Sequence, residues 1–389
     1  MDCQFLGTLH HPKPELISGG ASVSGWQIDI QPLKGAASLA PIWRELEARA
    51  AANFFLSWTW IGCWLETIAA QSLLLSVSAE NRIVALGLLV ESCARRHVLI
   101  HSRQLHLNET GSPDIDRITI EHNGLLIDRE IPQAILAAAV FQHLRMAVDV
   151  SWDECVLGGV PLAYVDAART AGLTVEIDRR SPCFTVDLRS LRSESATLLS
   201  RVSRNTRAQI QRSIRAASKD GPVAIEVAPN VPKALEFFDA MKMLHSARWQ
   251  SRGTAGAFST PAQDAFHRRL ISRGVPKAEV ELLRATAGTH VLGYLYNFIY
   301  GGRVYNYQCG FVPEPDNRHR PGLVTHYLAC ERAKAAGLDV YDLLAGDARY
   351  KRSIARPNEE LVWCRIQKPN PLLTAERLAR RIKGRLLGS

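Results

Sequence analysis

Along this chain the spacing of apolar residues switches repeatedly between a period of two and a period near 3.6, and it does so in the same order twice. Trp26 to Leu33 alternates as a strand, and Pro41 to Ala52 carries Ile42, Trp43, Leu46 and Ala50 at helical spacing. Phe54 to Ile68 reads as a second helix, striped with Phe54, Phe55, Trp58, Trp60 and Trp64. Core packing is the plain reading of that stripe, and the wall of an acyl pocket is the alternative. A hairpin (Leu73 to Ser78, Ile83 to Glu91), a strand (Arg96 to Ser102), a helix (Pro132 to Ala147), a strand (Trp152 to Gly158), a helix (Pro161 to Ala171) and a strand (Leu173 to Ile177) follow.

The second half repeats the order. It runs helix (Glu194 to Ser218), strand (Val223 to Ala228), two helices (Pro232 to Gln250, Thr260 to Gly274) and three strands (Val280 to Thr286, His290 to Tyr300, Arg303 to Gly310). A helix (Pro321 to Ala336), two strands (Val340 to Leu344, Leu361 to Gln367) and a basic helix (Pro371 to Leu387) complete it. Such alternation predicts an α/β protein of two similar domains, each a mixed central sheet flanked by helices. The expected division is a tail over 1–22, a first domain over 23–185, a second over 186–370 and a terminal helix over 371–389.

Composition excludes several classes. With 47% apolar and 22% charged residues, the chain is globular. Its 47 basic and 38 acidic side chains leave a charge of +9, which favours anionic partners such as phosphorylated cofactors, nucleotides or headgroups. The eight cysteines form no C-x-x-C pair, so neither a zinc knuckle nor a disulfide framework is expected, and no metal. The N-terminus lacks a signal-peptide pattern. The most apolar run, Leu73 to Val90, is interrupted by Glu80, Asn81 and Arg82 and spans no membrane. A cytoplasmic protein is expected.

Four segments carry residues suited to chemistry. Pro321 and Gly322 open a helix whose free N–H groups can bind a phosphate, with Arg318, His319 and Arg320 directly before them; an ordinary proline-initiated helix is the alternative. The strand ending at Leu344 runs into Gly346-Asp347, Tyr350 and Lys351, placed for a general base, a general acid and an oxyanion or phosphate contact, or else for a salt-bridged loop. His245, Arg248 and Trp249 precede the glycine-rich stretch Gly253 to Phe258; His245 and Trp249 share a helix face, His245 to handle a proton and Arg248 to clamp an anion, or with His245 purely structural. Arg201, Arg204, Arg212 and Arg215 fall within an arc of about 80° on one expected helix, with Arg207 beside it. That arc is either a solvated face or a site for a polyanion or nucleotide effector.

Together these pieces resemble a known family. The order Ser203-Arg204-Asn205-Thr206-Arg207, His245-x-x-Arg248-Trp249, Gly253-x-x-Gly256-x-Phe258, Tyr305-x-Tyr307-x-x-Gly310, Pro321-Gly322 and Asp342-x-x-x-Gly346-Asp347-x-x-Tyr350-Lys351 is similar to the CelD-like acetyltransferases of the GNAT superfamily, themselves distantly similar to the Fem peptidyltransferases. Phe55-Leu56-Ser57-Trp58-x-Trp60 and Glu121-His122-Asn123-Gly124-Leu125-Leu126 fit the same resemblance. It covers about residues 26 to 367 and implies two tandem GNAT-like folds.

The resemblance implies acetyl-CoA or another acyl-CoA as donor, its pyrophosphate cradled by Arg318 to Thr325, with Arg320, Gly322 and Leu323 among the contacts. Of the usual Q/R-x-x-G-x-G/A signature only Arg320-Pro321-Gly322 stands here, so an aminoacyl-tRNA donor stays open. Tyr350 matches the acid position, Asp347, Lys351 and His245 are its expected catalytic companions, and Arg248, Trp249, Tyr305 and Tyr307 are assigned to the substrate side. The expected reaction is direct acyl transfer to an amine or hydroxyl of a sugar or lipid-linked acceptor in cellulose or exopolysaccharide synthesis. The alternatives are a Fem-like aminoacyl transferase and a non-catalytic nucleotide- or membrane-binding module. DNA is not an expected partner; peripheral contact with the inner membrane is one use of the basic tail Arg377 to Arg385, and packing on the domain is the other.

Overall fold

The computed structural model describes residues 25–387 apart from 69–70, 97–99, 119, 149, 251–252, 254–255, 257, 259 and 317–318; the tail expected over 1–22 and Arg318 lie outside the described residues. The first half comprises β1 (Trp26–Pro32), α1 (Ala36–Arg49), a 3₁₀ turn (Phe54–Leu56), α2 (Trp58–Ile68), β2 (Ser72–Ala79), β3 (Arg82–Arg96), β4 (Ile100–Leu107), β5 (Leu126–Ile127), α3 (Gln133–Met146), β6 (Glu154–Pro161), α4 (Leu162–Thr170) and β7 (Thr174–Asp187). The second comprises α5 (Leu188–Ser193), α6 (Leu198–Arg201), α7 (Arg204–Ala217), β8 (Val223–Val227), α8 (Val231–Gln250), α9 (Pro261–Gly274), β9 (Val280–Ala287), β10 (His290–Tyr300), β11 (Arg303–Phe311), α10 (Pro321–Ala335), β12 (Val340–Ala345), α11 (Arg349–Ile354), β13 (Arg356–Gln367) and α12 (Pro371–Leu387).

The α/β reading holds: helices flank a large mixed sheet. Its order is β1-β2-β3-β4-β6-β13-β7-β12-β11-β10-β9-β8, with β5 on β3. Read from its two ends, the sheet repeats itself. Each arm has antiparallel neighbours up to one parallel pair, β4 with β6 in the first and β11 with β12 in the second. At the centre the chain crosses over: β13 pairs with β6 of the first arm, and β7 pairs with β12 of the second. The antiparallel β7–β13 ladder, from Thr174↔Gln367 to Thr185↔Arg356, then makes the sheet continuous.

Local chemistry explains the turns and caps. Gly301-Gly302 joins β10 to β11 with φ of 54° and 77°, the left-handed pair a two-residue hairpin needs. Thr260 and Gln263 form a capping box at α9, and the Gln263 amide also donates to the Asp114 carbonyl of the first half at 2.6 Å. Glu194 to Ser218 is not the single helix expected from its spacing. The chain is extended at Val202 and Ser203, and the Ser203 hydroxyl accepts the Thr206 N–H to start α7, so Arg201 sits on a separate turn.

Three apolar clusters cover the sheet. One lies under α3 and α4 and includes Val362, Cys364 and Ile366 of β13. A second lies under α7, α10 and α11. The third is shared between the halves: Phe54, Phe55, Trp58, Trp60 and Trp64 pack with α8, α9, β10 and β11, and Phe54 stacks on Phe298 at 4.2 Å. Each buried aromatic in this seam removes an area worth about 2 kcal/mol or more from water, so the two halves are held as one body.

Candidate active site

The site begins where two strands part. β11 and β12 are paired only over Arg303↔Val340, Val304↔Tyr341 and Tyr305↔Asp342. Beyond that point β11 stays with β10 as far as Phe311, while β12 turns to β7 at Ala345↔Cys183. Leu344 takes a φ of 62°, a left-handed conformation that costs a bulky residue roughly 1–2 kcal/mol. Three side chains hold it there. Asp342 accepts the Leu344 N–H at 2.7 Å, and the Lys351 ammonium donates to the carbonyls of Leu344 (3.0 Å) and Ala345 (2.7 Å). From the first half, Glu121 accepts the Ala345 N–H at 2.6 Å. Burial lowers the Lys351 pKa, against the pull of Glu121, and burial raises that of Glu121, against the Ala345 N–H and Lys351.

On the α10 face, the stretches around Pro321 and after Leu344 meet across three rings. A Cβ on Gly322 would lie 3.1 Å from the Phe311 ring. Phe311 sits 5.6 Å from His326, and His326 stacks on Tyr350 at 5.1 Å with 12° between planes. These rings close the groove in this structure. His326 is 1% exposed, neither ring nitrogen has a hydrogen-bond partner, and burial pushes its pKa down to about 3. Burial also raises the Tyr350 pKa. The Thr325 hydroxyl is buried and donates to the Pro321 carbonyl, Leu323 packs partly buried against the core, and the Arg320 N–H donates to the Ser213 hydroxyl of α7 at 3.0 Å. Asp347 is exposed and paired with the Arg352 guanidinium, which lowers its pKa.

The opposite face carries the remaining expected residues. His245 is 5% exposed and accepts the Trp249 indole N–H at 2.8 Å; burial, then the Arg248 charge, push its pKa down to about 4. Tyr305 and Tyr307 point into the shared core, Tyr305 edge-on to Phe55 and His122. Arg248 and Glu121 both act electrostatically on Tyr350, so the end of α8, the first-half loop and α11 converge.

A buried ion network lies beside them. His122 is 3.3 Å from Asp342 and 3.5 Å from Glu359, and Arg303 reaches the same two carboxylates at 3.0 and 3.5 Å. The ligating atoms of His122, Asp342 and Glu359 lie within 4.8 Å of one another, the spacing of a metal set, but the Arg303 guanidinium already takes up both carboxylates. Glu121, His122, Arg303, His326 and Glu359 had no role in the sequence reading. Glu121 and His122 sit in a stretch that carried the resemblance, whereas His326 carried no sequence signal.

The arginines divide. Arg201 pairs with Glu194, and Arg207 donates to the Leu199 carbonyl. Arg204, Arg212 and Arg215 are exposed on α7 with no acidic partner among the described residues.

Residues 204–352, which contain the diverging strands, match the family described as acetyltransferase (GNAT) domain. Over this segment the chain is similar to GNAT acetyltransferase domains. Solved structures extend the likeness over the whole fold. The C-terminal domain of a protein described as a lysylphosphatidylglycerol synthetase from Agrobacterium fabrum aligns with a TM-score of 0.53 at 12% identity, over 89% of this chain and 95% of that one. FemX aligns at 0.52 and 8%, over 86% and 96%. L-PGS from Bacillus licheniformis aligns at 0.52 and 10%, over 89% and 96%. At such identities the likeness is one of fold. No curated protein matches the sequence. The match supports an acyltransferase, and GNAT domains use an acyl-CoA donor. No helix among the described residues is long and apolar enough to cross a membrane.

Proposed function

We propose that the chain moves an acetyl or longer acyl group from acyl-CoA to an amine or hydroxyl of a sugar or lipid-linked acceptor, as the CelD-like resemblance implies for cellulose or exopolysaccharide synthesis. The observation that carries this reading is the parting of β11 and β12 next to the first turn of α10. Divergent strands free their edges for the donor arm, and the Phe311, His326 and Tyr350 rings that fill the gap in this structure must part to admit it. The Gly322 and Leu323 N–H groups, lacking helical acceptors, are suited to its diphosphate, with Arg320 and Arg318 as counter-charge.

In this reading the acceptor nitrogen or oxygen attacks the thioester carbon, the new C–N or C–O bond forms, and the C–S bond breaks. Glu121 takes the acceptor's proton, because burial raises its affinity for one. Asp347 is the weaker candidate, since Arg352 lowers its basicity. Tyr350 protonates the leaving thiolate, Lys351 holds the Leu344 turn, and His245, Arg248 and Trp249 flank the acceptor's approach. Tyr350 must leave the His326 ring for the donor to enter.

The test is thiol release from acetyl-CoA and longer acyl-CoAs with a panel of amino sugars and polyols. Tyr350→Phe should lower turnover about a hundredfold or more with an unchanged melting temperature, and Glu121→Gln, which keeps an acceptor for the Ala345 N–H, should lower it as much in protein that still folds. Unchanged turnover in both would refute the assignment.

A second reading, transfer from an aminoacyl-tRNA, is favoured by one observation: Arg204, Arg212 and Arg215 present uncompensated positive charge on α7, whose Ser213 touches the start of α10. Transfer from charged tRNA, suppressed by salt and in Arg204→Gln/Arg212→Gln, with no use of acyl-CoA, would decide for it.

A further inference from the structure

His326 is anomalous among the buried groups of the second half. It lies in the second turn of α10, between the Phe311 ring at the end of β11 and the Tyr350 ring of α11, and both of its ring nitrogens lack a hydrogen-bond partner. Buried polar atoms are nearly always paired, and an unpaired one costs stability without return. A core position packed between Phe311 and Tyr350 would be served better by phenylalanine or leucine. The Thr325 hydroxyl next to it shows the usual solution, a bond to the Pro321 carbonyl.

The place of His326 narrows what its partner can be. The ring sits against Tyr350, the proposed acid, and the Lys351 ammonium acts on it electrostatically. With burial holding it neutral, the imidazole offers one donor and one acceptor. Such a pair does not suit a phosphate, which calls for positive charge, and it does not suit a purely apolar acyl chain. It suits a group that carries both a carbonyl and an N–H.

We propose that His326 is a donor-binding residue that takes the amide-bearing pantetheine arm of an acyl-CoA, one ring nitrogen donating to an amide carbonyl and the other accepting an amide N–H. The inference rests on the acyl-CoA reading above and deepens it. The arm has two amides, so the two ring nitrogens can be satisfied by different ones. The Tyr350 ring, at the start of the six-residue α11, covers the imidazole and moves aside as the arm arrives. His326 then positions the thioester and takes no proton in the reaction.

The experiment measures acetyl-CoA binding by calorimetry and thermal melting for the full chain and for His326→Phe, His326→Leu and His326→Gln. A donor-binding role predicts acetyl-CoA affinity at least about tenfold weaker in the Phe and Leu variants, a loss of about 1.4 kcal/mol, with melting temperatures equal to or above that of the parent. The Gln variant, which keeps a donor and an acceptor, recovers part of the affinity. In turnover assays the loss appears in the KM for the donor, with the KM for the acceptor unchanged. Equal acetyl-CoA affinity in the parent and the Phe variant overturns the inference alone, and so does a lower melting temperature in both the Phe and Leu variants. Absence of any acetyl-CoA binding by the parent chain overturns the acyl-CoA reading itself.

Discussion

Replacing Asp342 with alanine tests whether the seam between the halves is held electrostatically as well as by its aromatic rings. Asp342 is fully buried; it meets His122 at 3.3 Å and Arg303 at 3.0 Å and caps the strained Leu344 N–H. Removing it leaves two cations facing one partly exposed carboxylate, Glu359. Breaking a buried pair this way costs about 3–5 kcal/mol. The unfolding entropy of a chain of 389 residues is roughly 0.8 kcal/mol/K, at about 2.1 cal/mol/K per residue, so the melting temperature should fall by about 4–6 °C. Asp342→Asn keeps an acceptor for Leu344 and should lose less. Glu359→Gln should cost under about 1 kcal/mol, because its side chain is 35% exposed and sits 3.5 Å from both cations.

The pH dependence has two edges. Burial opposes the His122 charge, but Asp342, then Glu359 and Glu121, raise its pKa; burial also opposes the Asp342 charge, but His122, the Leu344 N–H and Arg303 lower its pKa. The Asp342 contribution is present above about pH 3.9 and is lost as pH falls through its lowered value. The His122 contribution is complete below about pH 6.5 and is lost as pH rises through its raised value. The gap between parent and Asp342→Ala should therefore be widest between about pH 4 and 6.5. Calorimetric melts across that range measure it, and a gap below 1 °C at pH 6, or a Glu359→Gln effect as large as that of Asp342→Ala, would refute the argument (roughly the resolution of a 1 kcal/mol change).

Two further predictions concern other parts of the fold. Burial, with help from Asp116, pushes the Glu109 pKa up to about 8, so its native form keeps a proton that the unfolded chain gives up near pH 4.3. Glu109→Gln should be neutral near pH 4, then stabilise by about 1.4 kcal/mol more per pH unit until about pH 8, as followed by thermal melts; a pH-independent difference would contradict it. At Gly310 an added Cβ would lie 2.6 Å from the Met241 carbonyl oxygen and 3.0 Å from the Leu244 Cβ, where α8 crosses β11. Gly310→Ala should cost about 1–3 kcal/mol in denaturant unfolding, and a variant as stable as the parent would show that α8 can shift away.

Much of the fold was legible because apolar spacing reports which face of each element is buried. The strand at His290 to Tyr300 and the aromatic stripe of Phe54 to Trp64 could be placed from the sequence without tertiary knowledge. Arg201 to Arg215 misled, since helical spacing says nothing about a serine that starts a new helix in the middle of the run. The opening of α10 and the segment after Leu344 could be singled out from their residue types, and the structure packs them against each other through the Phe311, His326 and Tyr350 rings.

The sequence by itself determined the α/β class, the twofold order of elements and the segments rich in reactive side chains, because these depend on periodicity and local chemistry. Only the tertiary structure decided that β7 and β13 cross between the arms, that Glu121 and His122 reach across the seam to the turn after β12, and that His326 is buried without a partner. Pairings between residues more than 200 positions apart, such as Glu121 with Ala345, leave no trace in local spacing. They arise from which surfaces are buried together once the two arms have joined into one sheet.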